Sequence, residues 1–198
     1  VQITLEPGPG ARPRITLRSP DGAAVLQASG ALPRAEAGGA LELRLVPRAG
    51  APGLSDGWLR INGLRVRDAP VLAELLSAIS VIGLIEQLGG EGLYFSDVAA
   101  RFEMSPEAFT ISEAQATGAS LGLSLSGRYD RAEATVDMEG VISPVYMLNA
   151  VGAVLSRPGE GLFGFSFRLD GPAASPDVRV NPLSILAPGI LRELFRAR

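Results

Sequence analysis

The chain has 198 residues, 46% of them apolar and 20% charged, with a formal net charge of −3. Such a composition describes a globular chain able to bury a core, and 24 Gly with 15 Pro supply many turns. It contains no His and no Cys, and all 18 basic residues are Arg. These absences exclude thiol and imidazole catalysis, thiolate metal sites, Schiff-base lysines and the phosphate-loop lysine. The arginines form no basic run interleaved with aromatics, so nucleic acid is not an expected partner.

In chain order, the dominant signal is period-two alternation. Ile15 and Leu17 sit between Arg14, Thr16 and Arg18, and Leu41, Leu43 and Leu45 alternate with Glu42 and Arg44. Each pattern predicts a strand with one apolar and one polar face, hence an antiparallel sheet. The Pro- and Gly-rich stretch 47–57 is the one plausible internal boundary. It divides residues 1–55, strands of a preceding β-segment, from a domain at 56–198. Beyond it, Leu59 and Ile61 give way to Leu64 and Val66, a slip of phase at Gly63 that predicts a β-bulge.

Asp68-Ala69-Pro70 then reads as a capped, proline-initiated helix start, with the helix running over about 70–88 to Gly89-Gly90. Its stretch 75–85 is apolar on nearly every side, yet eleven residues span only about 16 Å against roughly 30 Å of hydrocarbon. It is therefore expected to pack on the sheet, with Leu76, Ile79 and Ile82 buried.

Short strands follow at Phe102 and Met104, at Phe109 and Ile111, at Leu121, Leu123 and Leu125, and at Val136 and Met138. Ser143-Pro144 starts a second helix, near 144–156, which Gly152 weakens. Phe163, Phe165, Phe167 and Leu169 give another strand. Asn181-Pro182 starts a third helical segment, near 182–196, broken by Pro188-Gly189. In its last part Ile190, Leu191, Leu194 and Phe195 share one side, while Arg192, Arg196 and Arg198 add charge near the C-terminus. The fold expected is mainly β with helices (α+β). About ten strands form a curved, mostly antiparallel sheet, a half-pipe or groove capped by three helices.

Two strings imitate catalytic motifs. Gly53-Leu54-Ser55-Asp56-Gly57 matches a nucleophile elbow, but a loop precedes it, a strand follows it and the chain has no His. Gly159-Glu160-Gly161-Leu162-Phe163-Gly164 matches a dinucleotide fingerprint, but it opens a strand after a helix, the reverse of that motif. Asp137 and Glu139, two apart on a strand, most simply form its solvated face. No calcium-loop pattern occurs. The expectation is a protein that is not an enzyme and holds no cofactor or metal.

A further set of residues carries a family resemblance. Asp68-Ala69-Pro70-Val71-Leu72 leads to Ile82-Gly83-Leu84 and Gly90-Glu91-Gly92-Leu93-Tyr94-Phe95. Then come Leu121-Gly122-Leu123 with Gly127, Pro144-Val145-Tyr146-Met147-Leu148-Asn149, and Gly159-Glu160-Gly161-Leu162-Phe163. The end reads Gly171-Pro172, Pro176-Asp177-Val178, Val180-Asn181-Pro182-Leu183-Ser184 and Leu186-Ala187-Pro188-Gly189-Ile190-Leu191-Arg192. This order resembles the C-terminal region of the AsmA-like, YhdP-type envelope proteins of Gram-negative bacteria, over about residues 56–196. The connection between Asn149 and Gly159 is shorter than the family's loop, so no role is carried over to it.

The resemblance implies membership of the repeating-β-groove superfamily. It also implies a periplasmic location, in a protein anchored to the inner membrane by an N-terminal helix outside this segment. The partner it implies is phospholipid or another acyl-chain lipid, with an outer-membrane or envelope protein as a second possibility.

Lipid-facing candidates are Leu121, Leu123, Leu125, Phe163, Phe165 and Phe167. Candidates for membrane or partner contact are Ile190, Leu191, Leu194, Phe195, Arg192 and Arg196. The alternation alone leaves two readings open. The apolar face could hold acyl chains, each CH₂ contributing about 0.8 kcal/mol, or the helices could fill it as a core. Likewise the final helix could touch a membrane surface or close the end of the sheet.

Overall fold

The structure, a computed structural model, describes residues 1–9, 12–29, 35–36, 38–144 and 164–181. Its strands are β1 (Gln2–Glu6), β2 (Arg14–Ser19), β3 (Ala35–Glu36), β4 (Ala40–Pro47), β5 (Ser55–Val66) and β6 (Leu93–Met104), then β7 (Ala108–Gly118), β8 (Leu121–Asp130), β9 (Thr135–Pro144), β10 (Phe165–Pro172) and β11 (Asp177–Asn181). Three helices are described: α1 (Gly22–Ala28), α2 (Pro70–Ala78) and α3 (Ile82–Gly89). The strands form one open antiparallel sheet in the order β1-β2-β4-β5-β6-β7-β8-β9-β10-β11, and the two-residue β3 pairs with β5. The architecture is the expected one, mostly antiparallel β with helices on one face. The sheet also runs unbroken past residue 56, because β5 pairs with β4 on one side and β6 on the other.

Curvature follows from a contact between distant elements. In a flat sheet β11 would lie six strand spacings from β5, about 29 Å away. Helix α2 starts four residues after β5 and is only about 14 Å long, yet it touches β11. The sheet therefore curls around the helices.

The helices depart from expectation in three ways. First, the long helix expected at 70–88 is two helices. The Val81 N–H donates to the Leu76 carbonyl at 3.0 Å and the Ser80 N–H to the Ser77 carbonyl at 2.9 Å, with Ser80 at φ 58°. That is a Schellman stop with serine in the left-handed position glycine usually fills. An apolar run without Gly or Pro hides such a stop. Second, the break turns Ile82 out: Leu76 and Ile79 are buried, whereas Ile82 is 68% exposed. Third, Asp68 does not cap α2. The N-cap position is Ala69 and makes no side-chain bond, while Asp68 takes φ 49° and its N–H donates to the Leu88 carbonyl, drawing the two helices into a hairpin. The helices expected near 144–156 and 182–196 lie outside the described residues, apart from Pro144, which ends β9.

Helix α1 was not legible in the alternation. Asp21 Oδ1 accepts the Ala24 N–H at 3.0 Å as N-cap, and the Gly38 N–H at 2.9 Å from the segment leading into β4. One carboxylate thus starts the helix and ties it to the sheet, where Gly22 sits against Leu41 and Ile61.

The phase slip at Gly63 is present, with φ 81° at that glycine, but the bulge lies elsewhere. Strands β5 and β6 keep one register on both sides of it, from Ile61 opposite Val98 to Leu64 opposite Phe95. The nearest register shift falls between β6 and β7, across Ser96, and β7 shifts again at 112–113 against both of its neighbours. The paired strands kink together, so Ile61, Leu64, Val66, Leu93 and Phe95 are all buried despite the change of parity.

Two measurements check this account. Ser80→Gly removes left-handed strain and should raise unfolding stability by about 0.5–1 kcal/mol in urea titrations. The Gly38 and Ala24 N–H groups hold the Asp21 carboxyl below its ordinary 3.8. A group lowered on folding stabilises the fold above its unfolded pKa, and that share is lost as pH falls through the lower folded value. The stability difference between wild type and Asp21→Asn should therefore be constant near neutrality and shrink below pH 3.8.

Candidate functional site

The register places one uninterrupted apolar row across ten strands: Ile3, Leu17, Leu43, Leu59, Ala100, Ala114, Leu125, Gly140, Phe167 and Val180, each opposite the next. One residue along each strand lies a mostly polar row on the opposite face, running Gln2, Arg18, Glu42, Arg60, Ala99, Gln115, Ser124, Val141, Ser166 and Asn181. One face is thus a broad apolar surface and the other is largely hydrophilic. Where glycine thins the apolar face, an aromatic ring on the neighbouring strand covers it: Phe102 lies over Gly57 and Phe167 over Gly140.

The apolar face is unevenly covered. Under the helices it is closed: Leu75, Leu76, Val81, Leu84 and Leu88 join Leu41, Ile61, Phe95, Leu121, Ile142, Phe165 and Phe167 in one buried cluster. Towards the first strands it opens. Leu17, Leu43, Leu45 and Leu59 are half-buried, and Ile3 and Leu5 of β1 are 61% and 63% exposed. The far end carries an aromatic group, with Phe109 edge-on to Phe102, stacked against Tyr129 and capped by the Arg131 guanidinium.

Five of the six lipid-facing candidates stand together on this face. Leu123, Ile142 and Phe165 form one cross-strand row, and Leu125, Gly140 and Phe167 the next. Leu121, Phe165 and Phe167 are buried inside the cluster, and Leu123 and Leu125 are half-buried at its margin. Phe163 lies outside the described residues, as do Ile190, Leu191, Arg192, Leu194, Phe195 and Arg196. The open section near β1 to β4 was missed as a candidate, although its alternation of leucines is as plain as that of β8. Its exposure depends on where the helices sit.

The described residues of the catalytic look-alikes take ordinary positions, and residues 159–163 of the second string lie outside the described residues. Ser55 is buried at the start of β5, and Asp56 beside it pairs with Arg48. Asp137 sits on the polar face with Arg168 at 2.7 Å. Arg168 lies between Asp170 and Asp137, and the hydrogen bond to Asp170 and the two negative charges raise its pKa above the ordinary arginine value. Among the described residues no group of three or more carboxylates lies close enough to hold a metal ion, and no helix is long and apolar enough to cross a membrane. No family model matches the sequence, and no curated protein or solved structure matches it either.

Leu76, fully buried where α2 meets the sheet, measures how far the helices close this face. Leu76→Ala should lower unfolding stability by about 2–5 kcal/mol in urea titrations. An unchanged midpoint would mean that the hairpin is peripheral.

Proposed function

We propose that this chain is a non-enzymatic segment of an apolar trough that carries phospholipid, with its helices closing the trough at one end. The observation that carries the reading is the unbroken ten-strand apolar row, covered by helices on one part and open near β1 to β4. A long, unbranched acyl chain needs an apolar surface to lie on, and the section of this row from Ile3 to Leu59 is the part that the helices leave open. Each CH₂ it covers is stabilised by about 0.8 kcal/mol. The resemblance to the AsmA-like envelope proteins supports the same reading. It adds a periplasmic setting, in a longer protein held to the inner membrane by an N-terminal helix, with transport between inner and outer membranes.

One observation favours a second reading. Leu121, Phe165 and Phe167 are buried in the helix-covered cluster, as in a structural module that caps the trough and docks an envelope partner without holding lipid itself.

Native mass spectrometry of the purified protein after exposure to mixed phospholipid vesicles separates them. The transport reading expects phospholipid adducts that largely disappear in Leu43→Glu, a change at a half-buried position on the margin of the helix-covered cluster, with the circular-dichroism spectrum preserved. A folded wild type that never carries an adduct would leave the capping role.

A further inference from the structure

The opposite face of the sheet holds a feature that the lipid reading does not use. A depression of about 890 Å³ opens there, within the range of small-ligand sites. Its floor is the row Arg44, Trp58, Arg101, in which each residue is the direct cross-strand partner of the next on β4, β5 and β6. Trp58 is the protein's single tryptophan and is 43% exposed, on a face that otherwise shows mainly charged and hydroxyl side chains.

Arg14 and Arg60 stand at the sides, so four guanidiniums face two carboxylates, Glu42 and Glu113, in a chain whose net charge is negative. Three of the arginines have a carboxylate partner: Arg14 with Glu6, Arg44 with Glu42, Arg60 with Asp97. Among the described residues Arg101 has none.

We propose that this depression binds an anionic saccharide, a sugar ring bearing a phosphate or carboxylate group. The indole offers a flat apolar surface for the C–H face of the ring, and the Arg101 guanidinium beside it offers an unpaired, fork-shaped donor for the anionic group. Glu113, cross-strand from Arg101, accepts from the Gln115 amide at 2.9 Å through Oε1, and its Oε2 and the Gln115 carbonyl oxygen supply acceptors for ring hydroxyls. That mixture of acceptors and donors around one aromatic surface suits a polyhydroxylated ring better than a nucleobase, which brings few hydroxyls to satisfy.

Trp58 makes the test direct, because the protein has one indole N–H and hence one indole cross-peak in a ¹H–¹⁵N spectrum. Titration of the ¹⁵N-labelled protein with glucose 1-phosphate should move that peak along a saturable curve. Glucose should move it only at concentrations at least ten-fold higher, and Arg101→Gln and Arg44→Gln should each weaken the response at least five-fold. Arg179→Gln, on the distant edge strand β11, should leave it unchanged, and peak dispersion in each spectrum reports that the variant is folded. The proposal fails if the shift never saturates or if both floor variants respond as wild type. It fails equally if inorganic phosphate alone reproduces the curve, which marks a general anion surface, or if adenosine 5′-monophosphate binds more tightly, which marks a nucleotide site.

Discussion

Everything in this molecule depends on the strict register of its strand ladder. Side chains alternate across a sheet with a period of two, so one residue of slip in any pair would exchange the two faces beyond it. Ten strands hold their parity well enough to keep a row from Ile3 to Val180 wholly apolar. Parity changes within a strand at Gly63 and Ser96, where β5 and β6 change together and the adjustment is taken up against β7, and again at 112–113 of β7, which shifts against both of its neighbours. The shared kink preserves the face at the point where the helices press on it.

Charge reinforces that register from the other side. Glu42 accepts from Arg18 across the strand pair and from Arg44 along its own strand, which lowers its pKa below the usual carboxylate range, Arg44 contributing more than Arg18. Arg48 joins Asp56 and Glu103 on two further strands, and Arg168 joins Asp137. Exposed pairs of this kind contribute little stability each. Their value lies in discrimination, because a slipped strand would bring like charges or leucines against these arginines.

Much of the fold is legible in the sequence because alternation is a local signal. Leu41-Glu42-Leu43-Arg44-Leu45 declares both its strand and its faces within five residues, and the polar partition follows. What escapes local reading is anything decided by a turn or by register. The stop at Ser80 uses a left-handed serine in an apolar run, and α1 rests on one aspartate before a stretch of small residues. The partial burial of Leu43 and the full burial of Phe167 follow from where the helical hairpin lies, which no alternation pattern states. Arg44, Trp58 and Arg101 are far apart in sequence and become neighbours only through two strand pairings.

A sheet in which nearly every strand pairs with its neighbours in sequence is also a modular object. Adding one hairpin would widen it by about 10 Å and, provided the parity is kept, would extend both faces without disturbing any existing pair. The helical hairpin occupies a single turn of this meander, between β5 and β6, so it closes the concave side without interrupting the ladder. The breadth of the apolar surface and the position of its lid are therefore independent variables in this architecture. Gain or loss of hairpins sets the first, and the choice of which turn carries the helices sets the second.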